Sequence, residues 1–314
     1  MEEEKLHKND IKIVTIEDDD YPKLLSKIYD PPVILYYRGV LKNDNFNGTL
    51  VNSVGIVGTR KPSDYGKNIS EMFAKELSSI GINIISGFAR GVDTAVHKAV
   101  LNNENSKGIT AAVFGNGVDV IYPPENKKLY DSILERGLLI SEYDVSAIPD
   151  SVNFPKRNRI ISGLSLGVIV IESGDEGGAL ITARCALDQS REVFAVPGYI
   201  TSKYSMGTNR LIKNGQAKLV QNIDDVLDEI SIKLENIVLK SENGHFKISE
   251  KELPDLKGNE KLVFDAVLKS SEPVHIDDIS ENTGLNISDC LITLLNLEFK
   301  GNINQLPGKR FRVN

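Results

Sequence analysis

The residues best suited to chemistry are three cations within four positions, Lys156, Arg157 and Arg159. Phe154 and Pro155 precede them, and Asn158 lies between the two arginines. An arginine side chain offers a planar fork that grips phosphate at two points, and an aromatic ring beside it can stack on a base. The cluster therefore predicts an anion-binding turn that opens a helix, with a solvated basic turn as the alternative.

Further segments combine glycine with a cation or a helix start at the points where we expect strands to end. Glycine lets a phosphate approach the backbone, and a helix amino terminus adds N–H donors and a favourable dipole. Several such loops on one sheet edge favour a surface that binds several phosphates, with Phe88 and Phe154 as candidates to stack on bases, although core packing is the alternative for each ring. The candidate residues in these loops are Gly58, Thr59, Arg60, Ser86, Gly87, Phe88, Arg90, Gly177, Gly178 and Thr182.

The class of phosphate compound follows from motifs that the chain lacks. There is no GxxxxGK[ST] segment, which excludes a P-loop nucleotidase. There is no GxGxxG after the first predicted strand and no acid at the end of the second, so NAD and FAD are not expected. The four histidines are scattered and Cys185 and Cys290 lie far apart, so we predict neither a metal nor a cofactor. A long anion such as nucleic acid remains.

A nucleotide-hydrolysing enzyme is the alternative class. Glu172, Asp175 and Glu176 lie beside the Gly177-Gly178 loop, and Asp93 precedes His97 by one helical turn. General acid–base chemistry needs such groups in a closed pocket, whereas helix capping and solvated loop charge need only a surface. We favour the structural roles and predict no catalytic residue.

Net charge and hydropathy indicate the kind of binding surface and the cellular location to expect. The 314 residues carry a net charge of −7, which favours a local positive groove over a basic coat. No apolar run is long enough for a membrane span and the amino terminus has no apolar signal core, so we expect a cytoplasmic protein without membrane contact.

Short β-branched runs alternate with longer amphipathic ones from residue 54 onwards. This alternation predicts an α/β fold with a doubly wound, mostly parallel, Rossmann-like sheet. Three further helices and a hairpin near the carboxyl end predict a small winged helix-turn-helix domain. We expect a lead-in over 1–50, a core over 51–232, a linker over 233–257 and the winged helix over 258–314. The predicted strands are 54–57, 82–86, 110–114, 138–141, 168–171 and 193–196, and the cationic cluster precedes a helix over 158–166.

The winged-helix tail is expected to be an accessory that contacts protein or regulates. Its predicted recognition helix, 287–300, carries Asp289 and Glu298 but only one lysine, Lys300. A helix that reads duplex DNA normally presents more cations and amides to the groove.

Several motifs, in the same order along the chain, resemble those of the DprA/Smf family of DNA-processing proteins. They are DPP at 30–32, GIVGTR at 55–60, SGFARGVD at 86–93, GNGVD at 115–119, FPKRNRII at 154–161, LITA at 180–183 and VPG at 196–198. The resemblance covers roughly residues 20–230, and the tail is similar to the winged helix of that family. Asp175 and Glu176 depart from it, because smaller neutral residues are expected there, and about fifty leading residues cannot hold the helical domain that many members carry.

The resemblance implies an extended Rossmann-like fold that binds single-stranded DNA. It further implies protection of incoming single strands and loading of the RecA recombinase during natural transformation and homologous recombination. It also implies a homodimer, and it suggests single-strand-binding protein as a further partner.

Overall fold

The computed structural model describes Leu6 and residues 10–234, 237–242, 245–250, 256–268, 270, 273–300, 302–306 and 308–313. The chain divides into two compact units, 1–249 and 250–314. No helix among these residues is both long enough and apolar enough to cross a membrane.

A nine-stranded sheet forms the centre of the larger unit, in the order β1-β2-β6-β5-β4-β3-β7-β8-β9. Neighbours from β6 to β9 are parallel, whereas β1 and β2 pair antiparallel at one edge. The predicted fold class is thereby confirmed. The strands are β1 (Lys12–Thr15), β2 (Ile34–Gly39), β3 (Ser53–Val57), β4 (Asn83–Ser86), β5 (Thr110–Phe114), β6 (Leu138–Ser141), β7 (Gly167–Val170), β8 (Glu192–Ala195) and β9 (Lys218–Leu219).

Helices cover both faces of this sheet. They are α1 (Phe46–Leu50), α2 (Asp64–Ser79), α3 (Val92–Leu101), α4 (Lys127–Arg136), α5 (Asn153–Gly163), α6 (Gly178–Asp188), α7 (Met206–Lys213) and α8 (Ile223–Ile230). One hydrophobic cluster joins α5 and α6 to the sheet, and a second joins α2, α3 and α8 to it. Every residue of β3 to β7 is buried, as expected for continuous apolar strands covered on both sides.

The chain reverses its direction of winding between β3 and β7, which are hydrogen-bonded neighbours at the middle of the sheet. From β3 it proceeds through β4 and β5 to β6 on one side, and from β7 through β8 to β9 on the other. The loops after β3 and β7 therefore leave the sheet in opposite directions and open a crevice at the carboxyl ends of the strands, where doubly wound folds bind ligands.

Helix α5 differs from the sequence-based prediction. The predicted helix starts at residue 158, but the observed helix starts at Asn153 and contains the whole cationic cluster. Pro155 is compatible with this because its missing N–H would be unpaired in the first turn of a helix in any case. The cluster is therefore distributed around a helix and does not form a turn.

Two segments outside the predicted core also form strands. The predicted lead-in provides β1 and β2, and β2 pairs with β6 through Tyr37 opposite Ile140. The predicted linker contains β10 (Ile237–Glu242) and β11 (His245–Glu250), which form a two-stranded sheet.

The smaller unit is a winged helix-turn-helix. Gly284 ends α10 in a left-handed conformation, φ 70°, and makes the tight turn into α11. Its elements are α9 (Asn259–Leu268), β12 (Val274–His275), α10 (Ile276–Thr283), α11 (Ile287–Phe299), β13 (Ile303–Leu306) and β14 (Arg310–Val313). Phe264, Ile279, Leu294 and Phe311 belong to its separate core.

Candidate nucleic-acid interface

An open cleft of about 630 Å³ lies above the carboxyl ends of β3 and β7. Nine of the predicted site residues line it: Gly58, Thr59, Arg60, Phe154, Arg157, Asn158, Gly177, Gly178 and Thr182. Its lining also includes residues that the sequence did not single out for binding, among them Tyr122, Ser151, Ser173 and Ile181. The structure thus brings five separate stretches of the chain, around residues 57–60, 89–93, 122, 149–161 and 173–182, to one concave surface.

The loop after β3 is held from both sides. The backbone N–H of Thr59 donates to the Glu172 carbonyl at 2.8 Å, and the Thr59 carbonyl accepts from the N–H of Val92 at 3.2 Å. A Cβ on Gly58 would lie 2.5 Å from a methyl carbon of Val92, so only glycine fits at this position. The loop is therefore fixed, and the exposed side chain of Arg60 leaves it at the rim of the cleft.

A cation and two aromatic rings form one layer of the cleft. The guanidinium carbon of Arg60 lies 5.9 Å from the ring centroid of Phe154. The ring of Phe154 stacks on Tyr122 with centroids 5.7 Å apart and an interplanar angle of 27°. Tyr122 is a cleft residue that the sequence does not single out, because nothing in its local pattern indicates that a loop after β5 reaches Phe154.

The helical spacing of α5 decides which members of the cationic cluster reach the cleft. Arg157 and Asn158 lie three and four residues after Phe154, Ile161 lies four and three residues after them, and all four line the cleft. Lys156 lies on another side of the helix, is exposed, and is absent from the lining. The prediction that all three cations face one groove is therefore not supported by the geometry.

Arg159 anchors α5 within the protein. Its guanidinium binds Glu142 in a two-point contact, at 3.1 and 2.6 Å, and Nε donates to Asp30 at 3.0 Å. The arginine side chain is only 18% exposed. These carboxylates already occupy the donors that a phosphate would need, so Arg159 is a structural residue here.

Arg157 lies beneath the cleft and is almost completely buried. Its Nη1 donates to the carbonyl of Val113. A Cβ on Gly87 would lie 2.4 Å from Oδ2 of Asp93 and 2.6 Å from Nη1 of Arg157, so both charged groups converge above this glycine. Burial lowers the pKa of Arg157 to about 10 and the carboxylate of Asp93 opposes this shift, so the guanidinium stays charged at neutral pH.

Phe88 lies in the core and not in the cleft. It is 2% exposed and stacks on Phe114 with ring centroids 4.7 Å apart. The expectation that this ring stacks on a base is therefore wrong, because neither face is free. Ser86 is buried as well and donates to the carbonyl of Ile56 at 2.6 Å, whereas Arg90 is exposed and paired with Glu125 beside a small pocket that adjoins the cleft.

The amino end of α6 forms the opposite wall. Gly177 and Gly178 begin the helix, and Thr182 lies one turn on. Nothing lies within 4 Å of where a Cβ on Gly178 would stand, so the backbone is open to the cleft there. Free N–H groups and the helix dipole favour an anion at such a position.

The carboxylates considered for an enzyme have structural partners. Glu172 accepts from the Ser63 N–H at 2.9 Å and from the Ser63 hydroxyl at 2.5 Å, and so supports the start of α2. Asp175 is paired with Arg210 of α7 at 2.5 Å. In the described part of the chain, no three His, Cys, Asp or Glu side chains are close enough together to hold a metal ion.

His97 is buried between two oxygen partners. Its Nε2 lies 2.5 Å from the Gly87 carbonyl, and Nδ1 lies 2.6 Å from the Thr110 hydroxyl. Because a carbonyl only accepts, Nε2 carries the proton of a neutral ring and Nδ1 accepts from the hydroxyl. Burial lowers the pKa of His97 to about 4, which keeps the ring neutral and structural near neutral pH.

Comparisons with known proteins agree over almost the whole chain. The family described as DNA recombination-mediator protein A matches residues 12–231, and the DprA winged helix domain matches residues 249–309. Protein Smf of Synechocystis sp. is 36% identical, covering 99% of this chain and 82% of that protein. DNA processing protein DprA of Streptococcus pneumoniae is 45% identical, covering 68% of this chain and 73% of that protein.

Two solved structures share the fold at substantial identity. The X-ray structure of DNA processing protein A from Streptococcus pneumoniae has a TM-score of 0.65 and 42% identity, covering 73% of this chain and 78% of that one. The structure of DNA processing protein A from Helicobacter pylori has a TM-score of 0.61 and 30% identity, covering 71% of this chain and 98% of that one. The Helicobacter structure is described in terms of a single-stranded DNA binding mode.

Proposed function

This chain belongs to the family of DNA recombination-mediator protein A, and we propose that it binds single-stranded DNA in the cleft between the β3 and β7 loops. The observation that carries this proposal is the layer of Arg60, Phe154 and Tyr122 facing the open amino end of α6. The single-stranded DNA binding described for the Helicobacter pylori relative supports it.

Each wall of the cleft suits one part of a nucleic-acid strand. The exposed guanidinium of Arg60 and the N–H of Gly178 at the amino end of α6 meet phosphates. The rings of Phe154 and Tyr122 meet bases. Arg157 lies buried beneath them beside Asp93 and supports the floor of the cleft. The strand is therefore held by phosphate contacts on two sides and by stacking between them.

The same arrangement favours a single strand over a duplex. Phosphate contacts do not distinguish the two forms, but stacking needs a base whose face is unpaired and unstacked. Equal affinity for single and double strands of the same length would refute this preference.

The test is a salt titration of binding to an oligo-dT with Arg60→Ala and Phe154→Ala. Loss of one charge-assisted phosphate contact is worth about 1.5–3 kcal/mol, so Arg60→Ala should weaken binding about ten- to a hundredfold. It should also make the log–log salt slope shallower by about 0.7. Phe154→Ala should weaken binding with little change of slope, because it removes stacking and not charge.

Arg184 provides the matched control. It is an exposed arginine on α6 that does not line the cleft. Arg184→Ala should therefore keep the affinity of the wild-type protein. If Arg60→Ala and Phe154→Ala also bind like the wild type, the cleft does not bind the strand.

We further propose that the protein protects single strands in the cytoplasm and loads RecA onto them during transformation and recombination. Membership of the recombination-mediator family supports this proposal. The assay is RecA filament formation on DNA covered by single-strand-binding protein, with and without this protein. Unchanged RecA kinetics would contradict the loading role.

We also propose a homodimer, for which family membership is the support. A dimer would place two clefts in one particle and could hold two strands. Light scattering at micromolar concentration should give twice the chain mass of 34.6 kDa, and a monomeric mass would contradict the proposal.

A catalytic role is not proposed, because Glu172 and Asp175 have protein partners and His97 is enclosed. Incubation of the protein with nucleoside triphosphates and with single strands should leave both intact. Turnover that is lost in Asp93→Asn or His97→Gln would favour the enzyme alternative.

A further inference from the structure

A second cavity lies at the amino ends of the central strands, whereas the cleft lies at their carboxyl ends. The volume of this second cavity is about 240 Å³. Leu166, immediately before β7, contributes to it, whereas Ser173 after β7 lines the cleft, so the two sites are separated by about 20 Å of extended chain. The lining residues that matter for binding are Lys23, Leu24, Lys27, Arg191 and Lys233.

The lining contains four cations and no carboxylate. Lys233 is neutralised by Glu192 at 2.7 Å. The ammonium groups of Lys23 and Lys27 make no hydrogen bond or ion pair with any residue that the structure describes. Three positive charges therefore face one cavity without a counter-ion from the described part of the protein.

Arg191 is the most unusual of these cations. It is half-buried, and the one hydrogen bond of its side chain to a described residue runs from Nη2 to the carbonyl of Leu24 at 2.7 Å. Its Nε is buried without an acceptor. Burial lowers the pKa of Arg191, and no acid offsets this effect. A partly desolvated cation without a counter-ion costs stability, and an anion that enters the cavity would relieve that cost.

We propose that this cavity binds a phosphate or pyrophosphate group. An arginine fork flanked by two ammonium groups matches the charge and geometry of such an anion. The cavity is smaller than the roughly 300–1,000 Å³ of pockets that enclose whole small molecules, so it takes the phosphate portion and not a complete nucleotide. The group can come from a free inorganic anion or from the end of a DNA strand.

The experiment is isothermal titration of the full chain with inorganic pyrophosphate, together with thermal melts. Pyrophosphate should bind the wild type and raise its Tm by roughly 5 °C at saturating concentration. Lys27→Gln and Arg191→Gln should each raise the Kd by about tenfold or more, through loss of a charge-assisted contact. Lys98→Gln, an exposed lysine on α3 outside the cavity, should bind like the wild type.

One further variant, in the cleft, distinguishes the two binding sites. Arg60→Ala should bind pyrophosphate like the wild type, because Arg60 belongs to the cleft. If pyrophosphate binding is lost in Arg60→Ala and kept in Lys27→Gln, the anion binds in the cleft and the proposal is overturned. Because Arg191→Gln could fold poorly, Lys27→Gln, a change on an exposed side chain, decides alone in that case.

The source of the phosphate is resolved by comparing oligo-dT with and without a 5′-phosphate. A preference for the phosphorylated strand that Lys27→Gln abolishes assigns the cavity to a strand end. Pyrophosphate binding without such a preference assigns it to a free anion. Absence of both in the wild type at millimolar concentration would overturn the proposal and would leave binding in the cleft untouched.

Discussion

Arg157 and Asp93 are two opposite charges that share a buried position beneath the cleft, above Gly87. Removing one member of a buried pair leaves the other charge uncompensated, which typically costs about 3–5 kcal/mol. Arg157→Ala should therefore lower the free energy of unfolding by about 3 kcal/mol or more, visible as a lower midpoint in urea.

Arg60→Ala is the control for this prediction. Arg60 is exposed and its guanidinium lies over the face of Phe154, so its removal should leave the urea midpoint nearly unchanged. Equal stability of the two variants would show that the Arg157 charge is not needed for folding.

His97 should make stability depend on pH. Its pKa is lowered by burial to about 4, compared with an ordinary value of 6.5. As the pH falls below about 6.5, His97 binds a proton in the unfolded chain but stays neutral in the folded chain. The free energy of unfolding therefore decreases between pH 6.5 and 4, and this decrease levels off below pH 4. Melts over this range should show a decline that is smaller in His97→Gln. Parallel curves for the two proteins would contradict the assignment.

At the scale of elements, the polar residues of helix α5 lie on different faces of the helix. Asn158 lines the cleft, whereas Lys156 does not. Loss of one hydrogen bond of about 1 kcal/mol should make Asn158→Ala bind a single strand about fivefold more weakly. Lys156→Ala should change affinity by less than about twofold at physiological salt, because its charge is exposed and screened. A larger effect for Lys156→Ala than for Asn158→Ala would show that the strand leaves the cleft along the other side of α5.

Helix α11 has an unusual solvent face for the recognition helix of a winged-helix unit. Ile292, Leu295 and Phe299 are exposed, with Phe299 at 88%. Lys300 at its end is paired with Glu260 at 2.7 Å. Such a face offers no cation and a single exposed amide, Asn296, for reading base edges, which agrees with the expected accessory role of this unit.

At the scale of the whole molecule, a chain that ends at Leu234 should retain single-strand affinity within about threefold of the full chain. The reason is that all cleft-lining residues lie between Val57 and Thr182. Binding to an oligo-dT checks this, with the Tm as the control for folding. A folded truncated chain that loses most of its affinity would show that the winged helix takes part in DNA binding. The proposed limits of the linker, 233–257, stay a prediction that limited proteolysis can test.

The sequence by itself determined the alternation of buried strands and amphipathic helices, and hence the parallel sheet. It also determined the family, because long motifs recur in the same order. These features depend on residues that are neighbours along the chain. Local periodicity and spacing are sufficient to read them.

The tertiary structure decided which of the predicted residues reach the cleft. Arg159 does not reach the cleft, because it is paired with Asp30, 129 positions earlier in the chain. Phe88 is buried against Phe114 of β5. Tyr122 joins the cleft because its ring stacks on Phe154, which precedes a different strand. Ion pairing and burial depend on contacts between segments that are distant in sequence. Local sequence patterns do not show which distant side chain contacts a given cation or ring.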